Sequence, residues 1–451
     1  MAEIGQRLTR MLDWVRRAIA HRHAPLVALV VILACSLAAR VFDLEAPCSQ
    51  PCRGADAHTL VFDESYYVNA ARVIVGIHPP AGSPYHEAPL GYDANAEHPQ
   101  LAKIVMAAGI ELFGDGPAGW RLGSVLFGLV AIAALYALVL AAGGGGWLAA
   151  GAAGVMALDN LLLVHGRIGT LDIYAVALML LAAVFYMRRR PVFAGLVLGV
   201  AACTKIVALY LIAAFVLMEL GWTLRARAGE RAEGAEAWWR KPVLGLALLV
   251  GATVVSLLTV LWLLDLTVPP WDPSTHRTFT DPFSQLAHML STGLGLKAAG
   301  APGISSPPLR WLLDQRPIDY ARVAVNTLVN GRIVASHAVV DFRGEINPFI
   351  IFLALPALGA AIVAAWREAD RVAAIGAAWC VGTFLPFLVA SALANRVTYL
   401  FYMVIVMPGI YLVTARLFSG RQLSRAAALG WAIALVYGFV HLYPLRTFSG
   451  H

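Results

Sequence analysis

The sequence predicts an all-α polytopic membrane protein of about eleven transmembrane helices, with short interfacial helices in its first outer loop. Three observations point there. Hydrophobic residues form 59% of the 451-residue chain and charged residues only 14%, against roughly 25% charged in soluble domains. The apolar runs are continuous or helically periodic, unlike the short alternating segments of a β-barrel. Basic clusters recur in alternate loops between the runs, as the positive-inside rule expects of cytoplasmic loops. That rule also accounts for the formal charge of +7. With no nucleic-acid-binding motif present, a nucleic-acid partner is not expected.

In chain order, residues 1–23 form a basic segment with Arg7, Arg10, Arg16, Arg17 and Arg22. No A-x-A-type cleavage site follows the first apolar run at 25–39, so the segment and run read as a signal anchor with a cytoplasmic N-terminus. A core of residues 24–264 begins with this run and contains a first outer loop at 43–118. Two amphipathic helices are expected in that loop. Tyr67, Ala70, Ala71 and Ile74 have i, i+3, i+4, i+7 spacing over 64–75, and Leu101, Ile104, Val105, Ala108 and Leu112 mark a second helix over 100–113. Both are too short to span and are expected to lie along the membrane interface. Between them, His78-Pro79-Pro80, Gly82, Pro84, Pro89 and Gly91 are turn signals.

Further spans are expected at 120–141, 147–164, 171–187, 192–203, 207–222 and 243–264. A second outer loop, 265–346, is rich in Pro, Ser, Asp and Arg. The C-terminal region, 347–451, holds four more spans at 348–366, 372–390, 397–418 and 426–443. With the N-terminus inside, the basic clusters at 188–190, 225–241, 367–371 and 421–425 are cytoplasmic, and both long loops lie outside. Cys35, Cys203 and Cys380 sit in apolar runs as small buried thiols. Cys48 and Cys52 share the first outer loop and either form a local disulfide or stay free. They lack the further ligands of a zinc site.

The polar chemistry gathers in the first outer loop. Phe62-Asp63-Glu64-Ser65-Tyr66-Tyr67 is followed by Glu97-His98-Pro99-Gln100-Leu101-Ala102-Lys103. Locally, Asp63 and Glu64 read as an N-cap and a first-turn acid of a helix. The expected topology adds a second reading. Lys103, Arg121, Arg167, Asp172 and Lys205 all fall at the outer interface, where ionisable groups are costly unless paired or functional. A carboxylate among cations at one membrane level suits a polyprenyl-phosphate sugar: Lys or Arg holds the phosphate, and the carboxylate accepts a proton from an attacking hydroxyl. Such a displacement requires no obligatory metal or other cofactor.

In order, these motifs resemble the aspartate–glutamate and His-Pro-Pro-Leu-x-Lys motifs of the protein O-mannosyltransferases, members of the GT-C superfamily of membrane glycosyltransferases. The likeness continues through Leu112-Phe113-Gly114, Gly119-Trp120-Arg121, Arg167-Ile168-Gly169-Thr170-Leu171-Asp172 and Thr204-Lys205. In the second outer loop it takes in Ser305-Ser306-Pro307-Pro308-Leu309-Arg310-Trp311, Arg316-Pro317-Ile318 and Tyr320, and then Asn347-Pro348. The resemblance implies Asp63 as catalytic base and Glu64 as its support. It implies Lys103, Arg121, Lys205 and Arg316 as donor-phosphate ligands, with holding the first loop in place as the other role for the first three. His98 would fix a turn, and Arg167 with Asp172 would form a structural ion pair.

The implied activity is inverting transfer of a sugar, most simply mannose, from a polyprenyl phosphate to a hydroxyl acceptor such as protein Ser/Thr, outside the cytoplasm of a prokaryotic plasma membrane. Two departures bear on the acceptor. Gln100 replaces the second proline of the motif, and the second outer loop has no room for the β-trefoil-type domain inserted in eukaryotic relatives. A lipid or envelope-glycan acceptor, as in aminoarabinose transferases acting on lipid A, is the alternative. A lipid transporter or flippase is a reading from another class, although no internal repeat supports it.

Overall fold

Hydropathy alone places most of the helices, because a backbone in lipid must satisfy its own hydrogen bonds within each segment. The structure, a computed structural model, describes residues 21–48, 58–229, 240–298, 303–313, 317–330, 332–419 and 425–444. Most of the basic N-terminal segment, Cys52 and Arg316 lie outside these residues. Cys48 is disulfide-bonded, while Cys35, Cys203 and Cys380 are free.

The helices in order are α1 (Ala24–Val41), α2 (Glu64–Ile74), α3 (Leu101–Phe113), α4 (Pro117–Ala141), α5 (Gly146–Ala157), α6 (Asn160–His165), α7 (Asp172–Met187), α8 (Pro191–Ala202), α9 (Tyr210–Gly229) and α10 (Arg240–Thr267). After them come α11 (Pro282–Gly295), α12 (Pro308–Trp311), α13 (Pro348–Ile351), α14 (Ala354–Arg367), α15 (Arg371–Ala394), α16 (Met403–Ser419) and α17 (Arg425–His441). Among the described residues, seven helical segments are long and apolar enough to cross a membrane. Four shorter apolar helices, α5, α7, α8 and most of α17, occupy the other predicted spans. Exposed side chains such as Val30 and Val31 on α1, Val254 and Val255 on α10 and Ile433 on α17 give the bundle an apolar exterior. That exterior is unfavourable in water and suited to lipid. The chain is an integral, multi-pass membrane protein.

The third predicted span, 147–164, is broken. Asp159 ends α5 and caps α6, accepting from Leu162 N. A short acidic side chain competes for backbone N–H groups and so starts a new helix. Its buried carboxylate also accepts from Tyr411 OH at 2.6 Å and Asn347 N at 3.0 Å. The Asn347 amide donates to Leu158 O at 2.9 Å and Leu435 O at 3.0 Å. This knot ties the break to α13, α16 and α17.

Elsewhere small residues set the packing. A Cβ at Gly195 would lie 2.3 Å from Leu249 O, and one at Gly199 would lie 2.5 Å from Ser256 Cβ. Hence α8 and α10 pack backbone to backbone, as small-xxx-small patterns allow. This close pairing sets where the turn after α8 emerges.

In the first long loop, α2 and α3 form where amphipathic helices were expected. The C-terminal end of α3 faces outward, with Leu112 75% exposed and Phe113 59% exposed, while Leu101 and Val105 of its apolar stripe pack against neighbouring helices. Its buried face is Ala102, Lys103, Met106, Ala107 and Ile110.

The second long loop adds strands to this predominantly helical fold. It contains a short β1 (Trp271–Asp272)/β2 (Arg277–Thr278) pair and a long antiparallel hairpin, β3 (Ile318–Val329) with β4 (Arg332–Gly344). The cause is visible in sequence: β-branched residues on both sides of Asn330-Gly331, the dipeptide that favours two-residue hairpin turns.

Candidate active site

The site is built on the start of α2. Phe62 has φ of +55°, a conformation that costs a non-glycine residue about 1–2 kcal/mol. It is held by stacking on Tyr320, with centroids 4.1 Å apart and planes at 10°. Asp63 follows at the N-cap position, yet its side chain makes no capping hydrogen bond. Asp63 thus holds the cap position without capping through its side chain. Glu64 is fully buried. It accepts from Arg121 Nε and Nη2 at 2.8 Å each, from Val61 N at 2.7 Å and from Gly169 N at 2.7 Å. A locked residue therefore sits on either side of a carboxylate that has no hydrogen bond among the described residues.

That carboxylate opens into a cavity of about 250 Å³ also lined by Tyr67, His98, Lys205, Arg396 and Tyr402. Lys205 stands between α8 and a 3-10 turn, Ile206–Leu209. Its Nζ lies 2.6 Å from Asp172 Oδ1, at the first residue of α7, and 5.4 Å from the Phe401 ring centroid. Arg396 follows Asn395, whose left-handed φ of +48° ends α15. Its Nε donates to Gly293 O at 2.6 Å, on the last turn of α11, where a cation suits the helix dipole. Its guanidinium carbon is 5.7 Å from the Tyr402 ring centroid.

Burial pushes the Asp63 carboxyl up to about 7; Lys205 opposes that rise, and Asp172 adds to it. The group thus titrates near neutrality, where a general base is effective. Burial and the nearby Lys205 and Lys103 hold His98 down at about 3, so its ring is neutral.

The structure therefore brings Asp63, His98 and Lys205 to one cavity, with Asp172 behind Lys205. Other residues expected at the site are engaged elsewhere. Lys103 is fully buried, with Nζ at 2.5 Å from Asp93 Oδ2, 2.6 Å from Asn95 O and 2.9 Å from His98 O. Arg121 spends its remaining donor, Nη1, on Leu44 O at 2.7 Å and Ala46 O at 2.6 Å. The expected Arg167–Asp172 pair does not form. Arg167 Nη2 donates to Phe42 O and Asp43 O at 3.0 Å, while Asp172 faces Lys205. Folding carries the start of α7 toward the turn after α8 and leaves Arg167 facing the end of α1.

Arg396 was missed. The signal for it was a basic residue at the outer end of a span, against the positive-inside trend. His165, just past the predicted span 147–164, and Tyr320 were not weighed as site residues.

Across 93% of this chain, the fold matches a protein O-mannosyltransferase from the S. cerevisiae Pmt1-Pmt2 complex bound to the sugar donor. The match has a TM-score of 0.69 at 12% identity and covers 90% of that chain. ArnT from Cupriavidus metallidurans bound to undecaprenyl phosphate matches 94% of this chain and 63% of its own, with a TM-score of 0.53 at 20% identity. The fold is that of the GT-C membrane glycosyltransferases.

Part of the chain resembles the protein O-mannosyltransferases in sequence. Residues 97–262 match the family model described as dolichyl-phosphate-mannose-protein mannosyltransferase. A polyprenol-phosphate-mannose–protein mannosyltransferase of Corynebacterium glutamicum is 39% identical over 128 residues, which is 28% of this chain and 24% of that relative. The aligned segment thus spans about a quarter of that relative's length.

Proposed function

We propose that the chain is an inverting glycosyltransferase. It moves a sugar, most simply mannose, from a polyprenyl phosphate to a hydroxyl acceptor on the non-cytoplasmic face of a prokaryotic plasma membrane. The observation behind this reading is the Asp63 carboxylate, without a hydrogen bond among the described residues, sharing one cavity with Lys205 and Arg396.

Asp63 takes the proton of the acceptor hydroxyl as its oxygen attacks the anomeric carbon. The bond from that carbon to the phosphate oxygen breaks with inversion. The lipid phosphate leaves unprotonated, its developing charge met by the Lys205 ammonium and the Arg396 guanidinium. His98, neutral, offers a hydrogen bond in the same cavity. Lys103 and Arg121 hold the first outer loop, one of the two roles the motifs implied for them. Arg316 is a further candidate for the donor. Collection of the polar groups in one cavity between helix ends favours transfer over transport.

The test uses membranes containing the full chain, radiolabelled polyprenyl-phosphate mannose, and either a Ser/Thr peptide or an envelope-lipid acceptor. Label moves to the peptide in wild type and not in Asp63→Asn. Movement to the lipid alone would replace the protein acceptor, and undiminished transfer by Asp63→Asn would overturn the role of Asp63.

A further inference from the structure

The β3/β4 hairpin is not an independent appendage to the membrane helices. Its root is packed into them: Ile318, Tyr320 and Phe342 are buried, whereas Val329 and Val334 near its far end are more than half exposed. At the root the strand register slips. Asp319 faces Arg343 and Ala321 faces Phe342, so Tyr320 has no partner across the ladder. Such bulges re-aim side chains and recur beside active sites.

Here the bulge sends Tyr320 toward the cavity wall. The ring stacks on Phe62, immediately before Asp63. Gly344 leaves space for it, since a Cβ there would lie 2.4 Å from the ring. The hydroxyl meets His165 Nε2 at 2.8 Å. The other nitrogen, Nδ1, lies 3.5 Å from Asp172 Oδ2, and Asp172 Oδ1 accepts from Lys205 Nζ at 2.6 Å. Thr170 Oγ1 lies nearer to Nδ1, at 3.3 Å; with the Nδ1 proton directed to Thr170 and Asp172, Nε2 accepts the tyrosine proton.

We propose that Tyr320 is a positioning residue that governs both halves of the site. Its ring holds Phe62 in the left-handed conformation that delivers Asp63. Its hydroxyl orients His165, which fixes Asp172 and through it Lys205. The second outer loop thereby sets the relative placement of base and phosphate-binding cation. The kinetic part rests on the glycosyltransferase reading; the structural part does not.

The two contacts separate by substitution in the full chain, reconstituted in lipid nanodiscs. Tyr320→Phe keeps the ring and removes the hydroxyl, while Tyr320→Leu removes both. Amide hydrogen exchange at residues 61–67 rises at least tenfold in Tyr320→Leu and stays at the wild-type rate in Tyr320→Phe. With polyprenyl-phosphate mannose as donor, Tyr320→Phe lowers kcat about tenfold while the acceptor KM is unchanged.

Wild-type exchange at 61–67 in Tyr320→Leu overturns the proposal, as does a wild-type kcat in Tyr320→Phe. Should the wild-type chain transfer no sugar, the glycosyltransferase reading fails. The exchange measurement still decides whether Tyr320 positions the loop.

Discussion

Arg121 grips Glu64 through two parallel hydrogen bonds of 2.8 Å inside the protein, and the carboxylate one residue earlier is left without a hydrogen bond among the described residues. Adjacent acids in sequence thus do opposite work. The strut fixes the backbone at the start of α2, and Asp63 faces the cavity because its neighbours are held. Glu64→Ala leaves the Arg121 guanidinium buried with no carboxylate, which costs about 3–5 kcal/mol. The unfolding midpoint of the reconstituted protein should fall accordingly, whereas Asp63→Asn should keep the midpoint and lose sugar transfer.

The pH dependence follows from the Asp63 carboxyl at about 7. Below that value the base is protonated and idle, so kcat/KM rises with pH through a midpoint near 7. Asp172 pushes the Asp63 value up, and Lys205 pushes it down. Asp172→Asn removes the first influence and leaves Lys205 uncompensated. The midpoint should therefore move to lower pH, alongside a loss of rate from the less well-held lysine. A pH–rate profile of both proteins checks the sign.

His98 gives a control for that assignment. Its value is held near 3, so it is neutral across the range in which Asp63 titrates. His98→Gln should leave the midpoint of the pH–rate profile in place even where the rate falls. A midpoint that moves with this substitution would transfer the titration from Asp63 to the histidine.

Three cations should separate by what they touch. Lys205→Gln and Arg396→Gln remove charges that line the cavity, and each should weaken binding of polyprenyl phosphate by roughly tenfold or more, a charge-assisted contact being worth about 1.5–3 kcal/mol. Lys103→Met instead strands buried Asp93. It should lower the unfolding midpoint and leave the affinity of the folded fraction within about twofold, since 1.4 kcal/mol is needed for a tenfold change. Titration of nanodisc samples with polyprenyl phosphate measures all three.

Gln100, the residue that departs from the family motif, is fully buried. Its Nε2 donates to Asp265 Oδ1 at 2.6 Å, and its Oε1 accepts from Gln285 Nε2 at 2.9 Å. It therefore clasps α3 to the end of α10 and to α11. Gln100→Pro, which restores the motif, leaves these buried groups without partners. It should destabilise the protein by about 1–3 kcal/mol, read as a lower unfolding midpoint.

Much of this molecule is written locally. The apolar runs, the two interfacial helices of the first outer loop and the candidate set Asp63, Glu64, His98, Lys103, Arg121 and Lys205 were legible without coordinates. Lipid imposes a demand that each helix meets within its own sequence, and the ordered motifs lie at the helix ends. The β3/β4 hairpin was also legible, through Asn330-Gly331 between β-branched runs, but the loop's proline and charge content obscured it.

Charge partnership was decided only by the tertiary structure. Asp172 could have paired with Arg167, five residues away in the chain; instead it meets Lys205, 33 residues on. Glu64 finds Arg121 across 57 residues and Gln100 finds Asp265 across 165. Such pairings depend on which helix ends the bundle brings together, and hydropathy carries no record of that. For the same reason Arg396 entered the site unannounced and Arg121 left the cavity. The sequence by itself determined a helical membrane protein with acids and cations gathered at helix ends. Packing alone determined which carboxylate faced the cavity without a hydrogen bond among the described residues and which cations stood beside it.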